Sequence, residues 1–100
     1  MNDSHFFSHT KIARADGLLS SYIGEELLMM SMSQSKYFNM NSVGSRIWEL
    51  LETPTTQKEL VTALTSEYEV SHDTARQQVE AFVVALRERH MLTFSDSTPA

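Results

Sequence analysis

Few side chains in this sequence have the type and spacing to do chemistry. His5 and His9 stand four apart, the interval that places two metal ligands on one face of a helix. No third ligand stands near them, and two solvated histidines are the simpler reading. His72 and His90 fall at the start and end of a predicted helix and read as capping or surface residues. Glu25 and Glu26 lie in a turn, while Glu49, Glu52, Glu59, Glu67, Glu69, Glu80 and Glu88 fall mostly on polar helix faces. General acid–base catalysis needs a pocket that moves at least one pKa, and nothing marks a buried carboxylate pair. The absence of cysteine removes disulfides, thiolate metal ligands and cysteine nucleophiles. Gly17, Gly24 and Gly44 are too scattered to build a phosphate loop, a dinucleotide fingerprint or a nucleophile elbow. The expectation is a protein with no catalysis, no cofactor and no metal of its own.

Charge narrows the partners. Eight basic residues face thirteen acidic ones, for a formal net charge of −5. Nucleic-acid binding rests on Lys and Arg displacing counterions from phosphates, so neither nucleic acid nor an anionic membrane surface is an expected partner. The longest apolar run, Leu27 to Met30, stops at Ser31, far short of the ~20 residues that span a bilayer. The start, Met1-Asn2-Asp3-Ser4-His5, lacks the basic and apolar regions of a secretion signal. A cytoplasmic location is expected.

One hundred residues, 41% of them hydrophobic, supply one core and leave no room for a second. The first 16 residues have no decided pattern. Leu18 to Ile23 then reads as a strand, Gly24-Glu25-Glu26 as a turn, Leu27 to Met32 as a second strand, Ser33 to Lys36 as a turn, and Tyr37 to Met40 as a third strand. Tight connections between three short strands predict an antiparallel meander. The period then changes to 3.6. Asn41 or Ser42 caps a helix with Val43, Ile47, Leu50 and Leu51 on one stripe, and Thr53-Pro54 stops it. Thr56-Gln57-Lys58-Glu59 is a capping box that opens a second helix through Leu60, Leu64 and Tyr68. Ser71 caps a third, with Ala75, Val79, Phe82, Val83 and Leu86 inward, Asp73 near its start and Arg87, Arg89 and His90 near its end, as the helix dipole favours. Met91 to Phe94 forms a closing strand or packs on the core.

The predicted fold is therefore α+β, a three-stranded antiparallel meander packed on three helices in a winged helix-turn-helix-like arrangement. That inventory also suits a small DNA-binding regulator, but Arg76, Arg87 and Arg89 of the third helix are set against Asp73, Glu80 and Glu88. What remains is the open edge of the meander. Tyr37 to Met40 carries no charge or proline inside it, and an extended peptide can add there as a further strand. The same edge also suits dimerisation or strand swapping, so the chain is expected to be a monomer or a homodimer.

The run from Ser35 to Leu51 resembles the pyrroloquinoline quinone biosynthesis protein D (PqqD) family. That family reads as an aromatic pair, Leu-Asn at a strand end, Gly three residues later, then Ile-Trp-x-Leu-Leu. Asn41, Gly44, Ile47, Trp48, Leu50 and Leu51 match, and Met40 replaces the usual Leu at similar volume. The order of elements agrees as well, including the Thr-Gln-Lys-Glu-Leu that opens the second helix and the Tyr-Glu-Val before the third, so the likeness covers about residues 12–94.

The resemblance implies a recognition element for ribosomally made, post-translationally modified peptides. Such proteins bind the leader segment of a precursor and deliver its core to a partner, either a radical SAM enzyme or the leader peptidase of a lasso-peptide pathway. The leader lies as a strand along the third strand, in a groove walled by the third helix. Carried onto this sequence, the pairing edge is Lys36, Tyr37, Phe38, Asn39, Met40 and Asn41. Arg76, Glu80, Val83, Val84 and Arg87 are candidates for the wall, with Val83 equally suited to the core. Ile47, Trp48 and Leu51 are expected to be structural. The recognition domain is expected over residues 12–94, between an N-terminal arm of residues 1–11 and a frayed tail of residues 95–100.

Overall fold

A computed structural model describes residues 10–96. In chain order its elements are β1 (Thr10–Arg14), β2 (Leu18–Ile23), β3 (Glu26–Ser31), β4 (Lys36–Met40) and α1 (Ser42–Leu50). They continue with β5 (Thr55–Thr56), α2 (Gln57–Glu67), α3 (His72–Glu88) and β6 (Leu92–Asp96). The class is α+β, with the meander and three helices of a winged helix-turn-helix-like fold.

The strands form two antiparallel sheets, ordered β2-β3-β4 and β5-β1-β6. The first is the expected meander. Gly24, at φ +66°, occupies the first central position of a two-residue turn, which closes the pair Ile23↔Glu26. Burial alternates along β3, with Leu27, Met29 and Ser31 covered, so that face lies on the helices. The second sheet departs from expectation. The lead-in contains β1, whose Thr10 and Ile12 are buried at alternate positions and whose Thr10 pairs with Asp96. Paired backbone thus reaches two residues beyond each end of the expected 12–94 span. Ser95 and Asp96 belong to a strand instead of a frayed tail, because β1 supplies their partners. The histidine pair, Phe6 and Phe7 lie outside the described residues.

The helix starts follow their capping residues. Asn41 Oδ1 accepts from Gly44 N at 2.8 Å and fixes the first turn of α1. Thr56 and Glu59 form the reciprocal capping box of α2. Ser71 Oγ accepts from Thr74 N at 3.0 Å to start α3. Their apolar stripes meet the meander in one cluster that includes Ile12, Met29, Met40, Ile47, Trp48, Leu51, Leu60, Val79, Val83 and Leu86. No helix among the described residues is long and apolar enough to cross a membrane.

Candidate functional site

β4 pairs with β3 on one side and with no described strand on the other. Which of its backbone groups face the open side follows from one buried hydroxyl. Leu27 N donates to Ser45 Oγ at 3.0 Å, and Ser45 Oγ donates to Met40 O at 3.2 Å. Leu27 and Met40 are register partners, so the serine of α1 bridges a bond the two strands would otherwise make directly. Met40 therefore turns its carbonyl toward β3. In an antiparallel strand the N–H and C=O of one residue point to the same side and alternate along the chain. Lys36, Phe38 and Met40 bond inward, while Tyr37 and Asn39 hold their backbone groups out to the open edge. The two-residue turn requires the same phase, since its closing pair commits Glu26, Leu28 and Met30 to β2.

Side chains alternate too. Phe38 is half-buried and Met40 buried on the helix face; Tyr37, 69% exposed, and Asn39 point away from it. Asn39 Nδ2 donates to Glu26 Oε1 at 3.1 Å.

Beside β4 lies a cleft of about 320 Å³. Phe38, Asn39, Met40 and Asn41 form one wall, Val43, Gly44 and Ile47 of α1 the floor, and Gln78, Ala81 and Phe82 of α3 the other wall. A Cβ on Gly44 would lie 3.4 Å from Met40 Cβ and 3.5 Å from Phe82 Cε2. Glycine thus lets α3 and the strand end approach over a shallow floor. At the other end, the Arg89 guanidinium lies 4.7 Å from the centroid of the Phe38 ring, and its Nη1 donates to Ala85 O at 3.0 Å. Gln34 Nε2 donates to Arg89 O at 2.8 Å, tying the β3–β4 turn to the end of α3.

The structure brings Phe38, Asn39, Met40 and Asn41 into the cleft, and leaves Lys36 and Tyr37 on the same strand outside it. It does not bring the expected α3 residues there. At 3.6 residues per turn, Arg76, Glu80 and Arg87 lie roughly 160–180° around α3 from Gln78. Arg76 is bound there to Asp73 at 2.9 Å and Glu80 at 3.0 Å. Val83 is 1% exposed and belongs to the core. Val84 is on the solvent face of α3, in a shallow depression with Gln77, Glu80, Glu88 and Arg89. The wall residues missed from the sequence, Gln78, Ala81 and Phe82, are all neutral. Only Phe82 carries a signal in the sequence, as a member of the apolar stripe that reads as core.

Residues 26–92 match the family described as coenzyme PQQ synthesis protein D (PqqD). Two solved structures share the fold. One, described as TbiB1 in complex with the TbiA(beta) leader peptide, is 32% identical with a TM-score of 0.74, covering 80% of this chain and 93% of that one. The other, described as lasso peptide synthetase B1 complexed with the leader peptide, is 21% identical with a TM-score of 0.73, covering 82% and 96%. At that identity the second likeness bears on the fold alone. No curated protein matches the sequence.

Proposed function

The chain belongs to the PqqD family, and we propose that it binds the leader segment of a ribosomally made precursor peptide and presents that peptide to a modifying enzyme or leader peptidase. The observation that carries the reading is the outward backbone of Tyr37 and Asn39 beside an apolar cleft. A peptide strand added there gains main-chain hydrogen bonds from β4 and places alternate side chains between β4 and α3. TbiB1, 32% identical, is a leader-peptide complex. The recognition unit is residues 10–96, and its site is Tyr37, Phe38, Asn39, Met40 and Asn41 with Gln78, Ala81 and Phe82. Chemistry is left to the partner. The chain acts in the cytoplasm, where ribosomal precursors first appear.

Duplex DNA fits poorly. Arg76, on the exposed side of α3, is hydrogen-bonded to Asp73 and Glu80, which raise its pKa and neutralise its charge. The net charge of −5 opposes phosphate binding.

The test uses linear peptides displayed as a random library, with the TbiA(beta) leader included, enriched on the full chain and measured by fluorescence anisotropy. Asn39→Pro removes an N–H that faces the open edge, so binding should collapse while the circular dichroism spectrum is kept. Arg76→Ala, across the helix from the cleft, should leave affinity unchanged. Binding that survives Asn39→Pro would overturn strand addition.

A further inference from the structure

Three arginines of this acidic chain are held by named partners. Arg14 lies over the Trp48 ring at 4.8 Å and donates from Nε to Trp48 O at 3.0 Å. Arg46 reaches Glu67 at 2.8 Å and Glu49 at 3.0 Å, and Arg76 is bound as described. Lys36 and Arg89 differ. Neither is ion-paired with a carboxylate among the described residues, and both lie just beyond the Phe38 end of the cleft, Arg89 also bordering the shallow depression that holds Glu80 and Glu88. Lys36 precedes Phe38 by two residues on the same face of the strand, about 7 Å along it. Arg89 lies on the Phe38 ring itself.

Arg89 is also held in place. The ring fixes its plane, Ala85 O takes one N–H, and Gln34 secures its backbone carbonyl. A guanidinium has five N–H donors, so most of the fork is left unspent at the cleft mouth. The opposite end of the cleft is neutral, with Asn41 and Gln78, while the Asn39 side chain turns away from the helices to Glu26. The apolar cleft is therefore flanked by positive charge at the end where β4 begins and by neutral groups where β4 ends.

We infer that the peptide bound along β4 carries an aspartate or glutamate where it passes Phe38, and that Arg89 and Lys36 select for that acid as specificity-determining residues. This rests on the strand-addition reading above. A carboxylate there meets a planar fork that can bind both of its oxygens, with a second cation beside it. A basic side chain meets two like charges. An apolar one covers the fork without supplying an acceptor. Side chains of an added strand face α3 at every second position, so the acid lies two or four residues from the apolar residue seated over Gly44, at about 7 Å per two residues.

The experiment enriches a phage-displayed library of random linear peptides on the full chain and on the Lys36→Glu/Arg89→Glu variant, with folding of each checked by circular dichroism. Peptides taken by the natural chain should share Asp or Glu at that spacing from an apolar residue. The charge-reversed variant should take Lys or Arg at the same place. Changing the acid to its amide in a synthetic binder should weaken anisotropy-measured affinity about fivefold, the upper end for one exposed charge pair. Enrichment of apolar peptides without an acid, or identical selection by both proteins, overturns the charge inference. Strand addition then still stands if Asn39→Pro abolishes binding of those peptides. Failure to enrich any peptide, or binding that survives Asn39→Pro, removes the strand-addition reading and this inference with it.

Discussion

Replacing Ser45 by alanine tests how the edge strand is anchored. Ser45, Leu27 and Met40 are each 3% exposed, so water cannot reach the groups that the hydroxyl joins. Ser45→Ala leaves the Leu27 N–H and the Met40 carbonyl without their partner, and one buried group left unsatisfied costs about 1–3 kcal/mol. Alanine is the better helix former and returns about 0.5 kcal/mol in α1. The net expectation is a loss of about 2 kcal/mol, or a melting temperature lower by about 10 °C for a domain of this size. Urea unfolding followed by circular dichroism measures it, and the midpoint should fall with an unchanged slope, because the surface exposed on unfolding is the same. A loss smaller than about 0.5 kcal/mol, the size of an ordinary surface substitution, would mean that the strands close on each other without the serine. The phase assigned to β4 would then rest on the turn alone.

Other expectations are as direct. Gly44→Ala should raise thermal stability by up to about 1 kcal/mol, since glycine inside a helix costs that much, and the added carbon meets its neighbours at 3.4–3.5 Å. The same methyl rises from the cleft floor, so calorimetric titration with an enriched peptide should show weaker binding from a more stable protein. The Glu59 carboxyl is held below its ordinary range, first by the Thr56 N–H and then by the Thr56 hydroxyl, with Lys11 nearby. A depressed carboxyl stabilises the fold at neutral pH and stops doing so as pH falls below about 4.3. Glu59→Gln should therefore flatten the fall in urea midpoint between about pH 5 and 3, by well under 1 kcal/mol at so exposed a site.

The helices and the meander were legible because capping residues and a change of period announce them. Asn41, Thr56 and Ser71 each begin the helix their side chain predicts. β1 was not legible. Thr10-Lys11-Ile12-Ala13-Arg14 has one large apolar residue, and its alternation has meaning only once β6, more than 75 positions away, lies beside it. β5 is two residues long and leaves no pattern at all. The open edge of β4 was legible from its lack of charge and proline. On the helix side, the residues that charge singles out are not the ones that line the cleft. Charge drew attention to Arg76, Glu80 and Arg87, yet those charges neutralise one another or face solvent, and the wall is built from an alanine, a glutamine and a phenylalanine. Their neutrality leaves the cleft apolar, and it also hides the wall in the sequence.

The pairing of β1 with β6 also governs how this unit can be joined to others. Thr10 and Asp96 are register partners, so the backbone enters and leaves side by side, through a sheet that shares no strand with β4. The unit can be spliced into a longer polypeptide as a plug-in with both wires at one corner, its peptide edge untouched. The same proximity allows a circular permutant, with Thr10 and Asp96 linked and new ends opened at the exposed Gly24-Glu25 turn.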